Sequence, residues 1–426
     1  MAKFDQRFWT PTTGTGLPRR DRQGGPYSVY IPDRLVNRTF SLGGEEAADI
    51  ADAERAISDL DRTSIALANT EALARLLLRA ESVASSHIEG LVIGPRRLLR
   101  ADAARQQGND VGDVTASEVL ANIDAMAYAI QAVNAGSAIT PVLLRETHHR
   151  LLEATMLKDH GGQTRTQQNW IGGSSYTPCS ASFVPPPWEM VDHLLDDLCA
   201  FCNDDSLPTV AQAAIAHAQF ETIHPFIDGN GRVGRALIHL IFRRRKLTTT
   251  VSPPVSLVLA TRIQDYIAGL SATRYVGEPD SKEARDGLNL WLGTFAAACT
   301  RAAGDAAAFE QRISGIQDKW RERLGRVHRH SVALRIIDLL PGSPIITIAE
   351  AQRLTGGSKS SVIEAMKRLE SADIITSITA GRQRGKSYQA KDIVDAFLDL
   401  ERQLASPVGD TTIEPPVRDV PARLRR

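Results

Sequence analysis

Cysteine is scarce in this chain: Cys179, Cys199, Cys202 and Cys299 are the only four in 426 residues. They are too few to staple a chain of this length, and the one C-x-x-C spacing, Cys199 to Cys202, has no second pair or histidine cluster to complete a zinc site. Its apolar surroundings predict a buried helix face carrying reduced thiols. Net charge is absent too. Fifty Lys plus Arg offset fifty Asp plus Glu, so no global field draws the chain to nucleic acid or an anionic membrane, and any such contact has to be local. No apolar stretch reaches about 18 residues before a charge or proline interrupts it, and the first residues have no signal-peptide core. The expectation is a cytoplasmic protein without membrane contact. Apolar residues, by contrast, make up 42% against 23% charged. That is enough for packed cores and, at about 100–200 residues per domain, for two to four of them.

Residues 1–45 hold Pro11, Gly14, Gly16, Pro18, Gly24, Gly25, Pro26 and Pro32 without a helical period, which predicts an extended arm, either wrapped on a domain or loose. Residues 46–110 read as an N-terminal helical region whose clearest stripe is Leu73, Leu76, Leu77, Ala80, Ala84 and Ile88. Residues 111–303 are mostly helical. One break, 169–176 and 181–187, reads as a short β-hairpin ended by prolines. A charged helical connector follows over 304–330. Residues 331–404 give a helix, a second helix opened by a Thr347–Glu350 capping box, a Gly356-Gly357 turn, a third helix opened by Ser358, and strands at 374–378 and 386–389. That is the winged-helix order. The proline- and arginine-rich 405–426 reads as a flexible tail. The fold class is therefore mainly α, a helical bundle with a short β-hairpin and a C-terminal winged-helix domain.

The densest chemical signal is His224-Pro-Phe-Ile-Asp-Gly-Asn-Gly-Arg-Val-Gly-Arg235. Thr209 and Gln212 predict a capping box at the start of the preceding helix, and Pro225 biases His224 out of the α region, ending that helix near Ile223. Val233, Leu237, Leu240 and Ile241 mark the apolar face of the next one. Asp-Gly-Asn-Gly is then a tight turn feeding a helix N-terminus, where free amides, the positive dipole end and small residues suit an anion. Arg232 and Arg235, three apart and placed opposite the apolar face, can reach one polyphosphate. Asp228 is the hard carboxylate that Mg²⁺ takes when it bridges phosphates. His224 is the nearby group with a pKa near neutrality, suited to removing a hydroxyl proton. Phe226 and Ile227 are expected to anchor the loop in the core.

This segment resembles the Fic (Fic/Doc superfamily) signature without departure. Residues 81–90, Glu-Ser-Val-Ala-Ser-Ser-His-Ile-Glu-Gly, resemble the family's inhibitory helix. Arg165–Gly172 and Phe183–Pro187 resemble its flap, and about residues 60–400 fit its long form with a C-terminal winged helix. The resemblance implies a Mg²⁺-dependent protein adenylyltransferase, moving AMP from ATP to a Ser, Thr or Tyr hydroxyl of a target protein with release of pyrophosphate. It implies His224 as base, Asp228 as Mg²⁺ ligand, Gly229, Asn230 and Gly231 as the anion hole, and Arg232 and Arg235 on the β- and γ-phosphates. Gly231 favours AMP transfer over the phosphate transfer of Doc-type relatives, which carry a bulkier residue there.

Ser85 and Glu89 lie four apart on one helix, with Gly90 placed as its C′ glycine. Alone, Glu89 reads as a solvated acid; the resemblance makes it an inhibitory group that pairs with Arg235 and denies it to the γ-phosphate. Ile171, Gly172, Phe183 and Val184 would align the target by strand addition. A second reading is a nucleotide-sensing DNA-binding regulator. It rests on Arg382, Arg384 and Lys386 at the wing and on Lys359, Ser360 and Ser361 at the recognition helix, but Glu364, Glu370 and Asp373 dilute that charge. A homodimer is left open. His148, His149, His217 and His239 lack metal-ligand spacing and read as structural, and Trp170, Trp188, Trp291 and Trp320 as packing anchors.

Overall fold

Alanine, leucine and other good helix formers fill the middle of the sequence, with proline kept to helix starts and the loops between them, and these stretches fold as helices. The computed structural model describes residues 1–11, 24–65, 70–106, 108, 111–379 and 386–404. Two strands open it, β1 (Lys3–Trp9) and β2 (Gly25–Ile31). Next come α1 (Gly44–Ile65), α2 (Thr70–Ile88), α3 (Pro95–Gln106), α4 (Val114–Ala132), α5 (Pro141–Leu152), α6 (Val191–Cys202), α7 (Thr209–Ile223) and α8 (Asn230–Arg244). Then follow α9 (Val255–Thr261), α10 (Ile263–Ala272), α11 (Lys282–Leu324) and α12 (Val332–Leu339). The last elements are β3 (Ile345–Thr347), α13 (Ile348–Thr355), α14 (Lys359–Ser371), β4 (Thr376–Thr379), β5 (Lys386–Gln389) and α15 (Lys391–Leu404). No helix among the described residues is long and apolar enough to cross a membrane.

The chain divides into two compact units of interleaved stretches. One comprises Met1–Arg55, Asp124–Leu247 and Gln264–Ala297, the other Ala56–Ile123, Thr248–Ile263 and the chain from Ala298 onward. In the first unit the described part of the arm is paired: β1 and β2 run antiparallel from Lys3↔Ile31 to Trp9↔Gly25. Phe4 and Phe8 stay exposed, so these strands lack the buried alternation that announces a strand in sequence. Tyr30 N–H donates to the Val184 carbonyl (2.9 Å), and Ala2, Tyr30, Phe183, Tyr275 and Ala284 share one small core.

The expected hairpin at 169–187 is reduced to one antiparallel bridge, Ile171↔Phe183. Gly172 and Gly173 both take positive φ (74° and 72°), and Thr177 caps a 3₁₀ turn over Pro178–Ser180 by accepting from Cys179 N–H. The intervening chain is therefore committed to turns and the ladder stops. The Thr209–Gln212 capping box is not made either. Pro208 is the N-cap of α7, and Gln212 Nε2 donates instead to the carbonyls of Phe201 (2.8 Å) and Asp204. Cys199 and Cys202 are buried on α6 as free thiols, and burial pushes Cys199 up to about 12.

In the second unit Leu73, Leu76, Leu77, Ala80 and Ala84 of α2 are buried as their spacing predicts. Of the expected helical connector, residues 304–324 continue α11, a single 43-residue helix that ends at Leu324 before Gly325 (φ 69°), because no proline interrupts Lys282–Leu324. Beyond it, Ser331, Thr347 and Ser358 cap α12, α13 and α14 through their side chains. The sheet order β3-β5-β4 is antiparallel throughout. The strand expected from 374 starts at Thr376, and β3 and α15 were not foreseen. Arg382 and Arg384, expected at a wing, and residues 405–426, expected as a tail, lie outside the described residues.

Candidate active site

The site is built in the first unit where α7 hands over to α8. His224 leaves the helix in the left-handed region (φ 50°, ψ 60°), its N–H still donating to Phe220 O (2.9 Å). Pro225 restricts the residue before it, and histidine is among the side chains that tolerate this region. The loop closes at Gly229 (φ 75°), the N-cap of α8, which supplies no side-chain cap. Asn230 clasps the loop with its amide: Oδ1 accepts from Phe226 N–H (2.8 Å) and Nδ2 donates to Phe226 O (2.9 Å). Its side chain is thus a structural clasp rather than a group turned out of the loop. Phe226 is fully buried, whereas Ile227, expected beside it in the core, is 50% exposed. One aromatic ring is sufficient anchor.

Arg165 holds the same loop from outside. Its N–H donates to Pro225 O (2.8 Å), Nε to His224 O (2.9 Å), and Nη2 to Ile223 O (3.3 Å) and Pro186 O (2.5 Å). Burial pulls its pKa down to about 10, so it remains charged at neutral pH. Asn169 Nδ2 adds a bond to Phe226 O (3.1 Å). Sequence spacing gives neither residue this role, since a loop arginine reads as solvated until the carbonyls around it are known.

The two arginines are not on a polar side of α8, because α8 has almost none. Arg232 and Arg235 are 4% and 1% exposed, both inside the protein. Arg232 Nη2 pairs with Asp228 Oδ2 (3.1 Å), while its Nε and Nη1 are buried without hydrogen-bond partners. Arg235 Nη1 lies 3.5 Å from Tyr266 Oη, which in turn meets His217 Nε2 at 2.8 Å. Gly234 between them lets α7 approach. A Cβ there would stand 2.6 Å from Glu221 Oε1, 3.0 Å from Phe220 Cδ1 and 3.2 Å from His217 Nδ1.

The Asp228 carboxylate is half-exposed, and no group of three or more His, Cys, Asp or Glu able to hold a metal exists among the described residues. A lone carboxylate fits Mg²⁺ only where phosphate and water complete the shell. Glu221 Oε2, on a buried side chain, stands 4.0 Å from His224 Nδ1.

The histidines read as structural are buried at 148, 217 and 239, but His148 also touches the loop: Nε2 is 3.1 Å from Asp228 O, and the ring stacks on Phe226 at 3.8 Å. Trp291 and Trp320 are fully buried, and Trp170 packs edge-on against Trp9, whereas Trp188 is 42% exposed. Burial lowers His148 to about 4 and His217 to about 3, Arg235 adding to the latter. Both values lie below the ordinary 6.5, so the unfolded chain takes up more protons as pH falls. Their stabilising contribution is complete above about pH 6.5 and is lost toward pH 4 and below. The fold should be weaker by about 2–3 kcal/mol at pH 5.5 than at pH 7.5, read as a lower urea midpoint. Equal midpoints at the two pH values would contradict this.

In the second unit, Ser85 is buried and Glu89 exposed. Gly90 (φ 84°) is the expected C′ glycine: its N–H donates to His87 O (2.9 Å) and that of Leu91 to Ser86 O (3.0 Å), a Schellman end. Of the residues expected to form a flap, Ile171 and Gly172 are exposed. Phe183 and Val184 are buried, Phe183 beneath the Arg274 guanidinium at 3.6 Å.

Comparison with known proteins agrees with this geometry. The Fic/DOC family pattern matches residues 138–242, which contain the whole loop, and the Fic/DOC family N-terminal pattern matches residues 47–131. Protein adenylyltransferase fic-1 of Caenorhabditis elegans is 36% identical over 155 residues, covering 35% of this chain and 28% of that protein. Its Caenorhabditis briggsae counterpart is 30% identical over 169 residues, covering 35% and 31%. The match thus spans less than a third of either relative. A crystal structure of a Fic family protein from Desulfovibrio desulfuricans shares the fold, with TM-score 0.50 and 19% identity over 82% of this chain and 97% of that one. With an unbroken signature folded into a helix-to-helix turn inside the matched stretch, residues 47–131 and 138–242 of the chain carry the two Fic/DOC family regions.

Proposed function

We propose that this chain is a protein adenylyltransferase that transfers AMP from ATP to a Ser, Thr or Tyr hydroxyl of a target protein and releases pyrophosphate. The observation that carries the reading is Arg232, a buried guanidinium with two unpartnered nitrogens directly behind an uncapped helix N-terminus. A buried charge so poorly satisfied is costly unless an anion comes to it. The amides of Gly229, Asn230 and Gly231 hold the phosphates, and Arg232 and Arg235 neutralise the leaving pyrophosphate. His224 takes the proton of the attacking hydroxyl as its oxygen bonds to the α-phosphorus and the bond to pyrophosphate breaks. Mg²⁺, held by Asp228 and the phosphates, would neutralise charge on the bridging oxygens. Positioning and charge neutralisation supply most of the rate in such displacements. Ile171, Gly172, Phe183 and Val184 align the target, and Ser85, Glu89 and Gly90 form a restraint in which Glu89 keeps the isolated protein self-inhibited.

The test is incubation with cell extract, Mg²⁺ and ATP labelled at either the α- or the γ-phosphate. Protein bands labelled from the α position alone are expected, with Glu89→Gly raising incorporation by about tenfold or more, the equivalent of about 1.4 kcal/mol. Label from the γ position would overturn AMP transfer. An unchanged rate in Glu89→Gly would remove the inhibitory role.

A further inference from the structure

Asp228 and Gly229 are joined by a trans peptide, and in a trans peptide the carbonyl oxygen and the amide hydrogen point in opposite directions. The orientation of that one plane decides whether the turn presents an N–H or a carbonyl oxygen to an anion. Gly229, at φ 75°, does not settle it, since glycine accepts positive and negative φ about equally and a flip of the plane costs it little. The orientation has to be imposed from outside the turn.

His148, fully buried on α5, is placed to impose it. Gly162 N–H donates to its Nδ1 (3.0 Å), while its Nε2 lies 3.1 Å from Asp228 O. An amide can only donate, so Nδ1 is the bare nitrogen and the ring hydrogen sits on Nε2, aimed at the Asp228 carbonyl. Stacking on Phe226, with 8° between the planes, fixes the ring. The turn is also pressed against the same helix: a Cβ on residue 229 would come within 2.7 Å of Leu151 Cδ2.

We propose that His148 is a positioning residue that locks the phosphate turn: by holding the Asp228 carbonyl toward α5, it keeps the Gly229 amide hydrogen turned to the opposite side, where the anion binds. This role rests on the adenylyltransferase reading for its anion, but not for its geometry. A flipped plane would set an oxygen against the phosphates, converting an attraction into a repulsion.

Inorganic pyrophosphate, titrated calorimetrically into the full chain with Mg²⁺, is the probe. His148→Phe keeps the ring volume and the stack but has no donor; His148→Gln returns an amide N–H near the Nε2 position. The Phe variant should bind pyrophosphate about tenfold more weakly, and the Gln variant should recover to within about twofold of wild type. Nitrogen-15 spectra of selectively labelled wild type should show a protonated Nε2 and a bare Nδ1, and the Gly229 amide signal should move in the Phe variant and return in the Gln variant. Wild-type binding by His148→Phe, equal losses in both variants, or a proton on Nδ1 would each overturn the lock. If the Phe variant fails to fold, the wild-type ring spectrum decides alone. If wild type binds no pyrophosphate, the adenylyltransferase reading falls, while the ring and Gly229 signals still decide the orientation.

Discussion

Alanine at position 224 is expected to lower AMP transfer by about 10²–10⁴-fold, the usual contribution of a positioned general base, with little change in the loop. The imidazole is not what holds the turn together. The Asn230 side chain clasps both polar groups of the Phe226 backbone, and Arg165 binds the carbonyls of Ile223, His224 and Pro225. All of these bonds survive removal of the ring. Alanine at φ 50° bears a left-handed conformation costing about 1–2 kcal/mol, which histidine already bears in part. Initial rates of α-label incorporation, read beside urea midpoints, separate the two effects. A rate within a few-fold of wild type would remove His224 from the chemistry.

The second large effect is expected at Gly234, a position with no chemistry of its own. Alanine in a helix interior normally stabilises by about 1 kcal/mol relative to glycine. Here the new methyl would meet Glu221 Oε1, Phe220 Cδ1 and His217 Nδ1, all within 3.2 Å and all on α7. Overpacking of this kind costs about 1–3 kcal/mol, so the sign reverses. The displacement also falls between Arg232 and Arg235, and a shift of about 1 Å in positioning groups can cost about 10²-fold in rate. Gly234→Ala should therefore lower both the urea midpoint and transfer. Gly293→Ala on α11, where nothing lies within 4 Å of the new methyl, should leave transfer alone and stabilise by about 0.5–1 kcal/mol. Similar behaviour of the two variants would show that α7 and α8 can separate freely.

The parts legible in sequence are those fixed by covalent geometry or by neighbours a few residues away. Pro225 ends α7, Gly229 permits the turn, Ser358 caps α14 and Gly90 closes α2; each needs only a handful of adjacent residues. What stayed illegible depends on partners far along the chain. β1 finds β2 some 20 residues on, and it carries its apolar side chains outward. The flap looks like a hairpin by alternation, yet tandem glycines at positive φ and the Thr177 cap turn it aside. Arg165 and His148 look like surface and core residues respectively until the carbonyls they serve have been folded beside them. The expectation of a polar side on α8 failed for a related reason: helical spacing places Arg232 and Arg235 on one face, but not what packs on that face.

The ion pair between Arg232 and Asp228 has a thermodynamic consequence for the proposed reaction. In the resting chain Asp228 offsets the Arg232 charge through one nitrogen only, so a divalent cation arriving alone, or a nucleotide arriving alone, must strip one of them from its companion. Arriving together they divide a single rupture between them. Each should then raise the other's affinity by an identical factor, as reciprocity between coupled equilibria demands, and the resting site should discriminate against nucleotide that comes without its counterion.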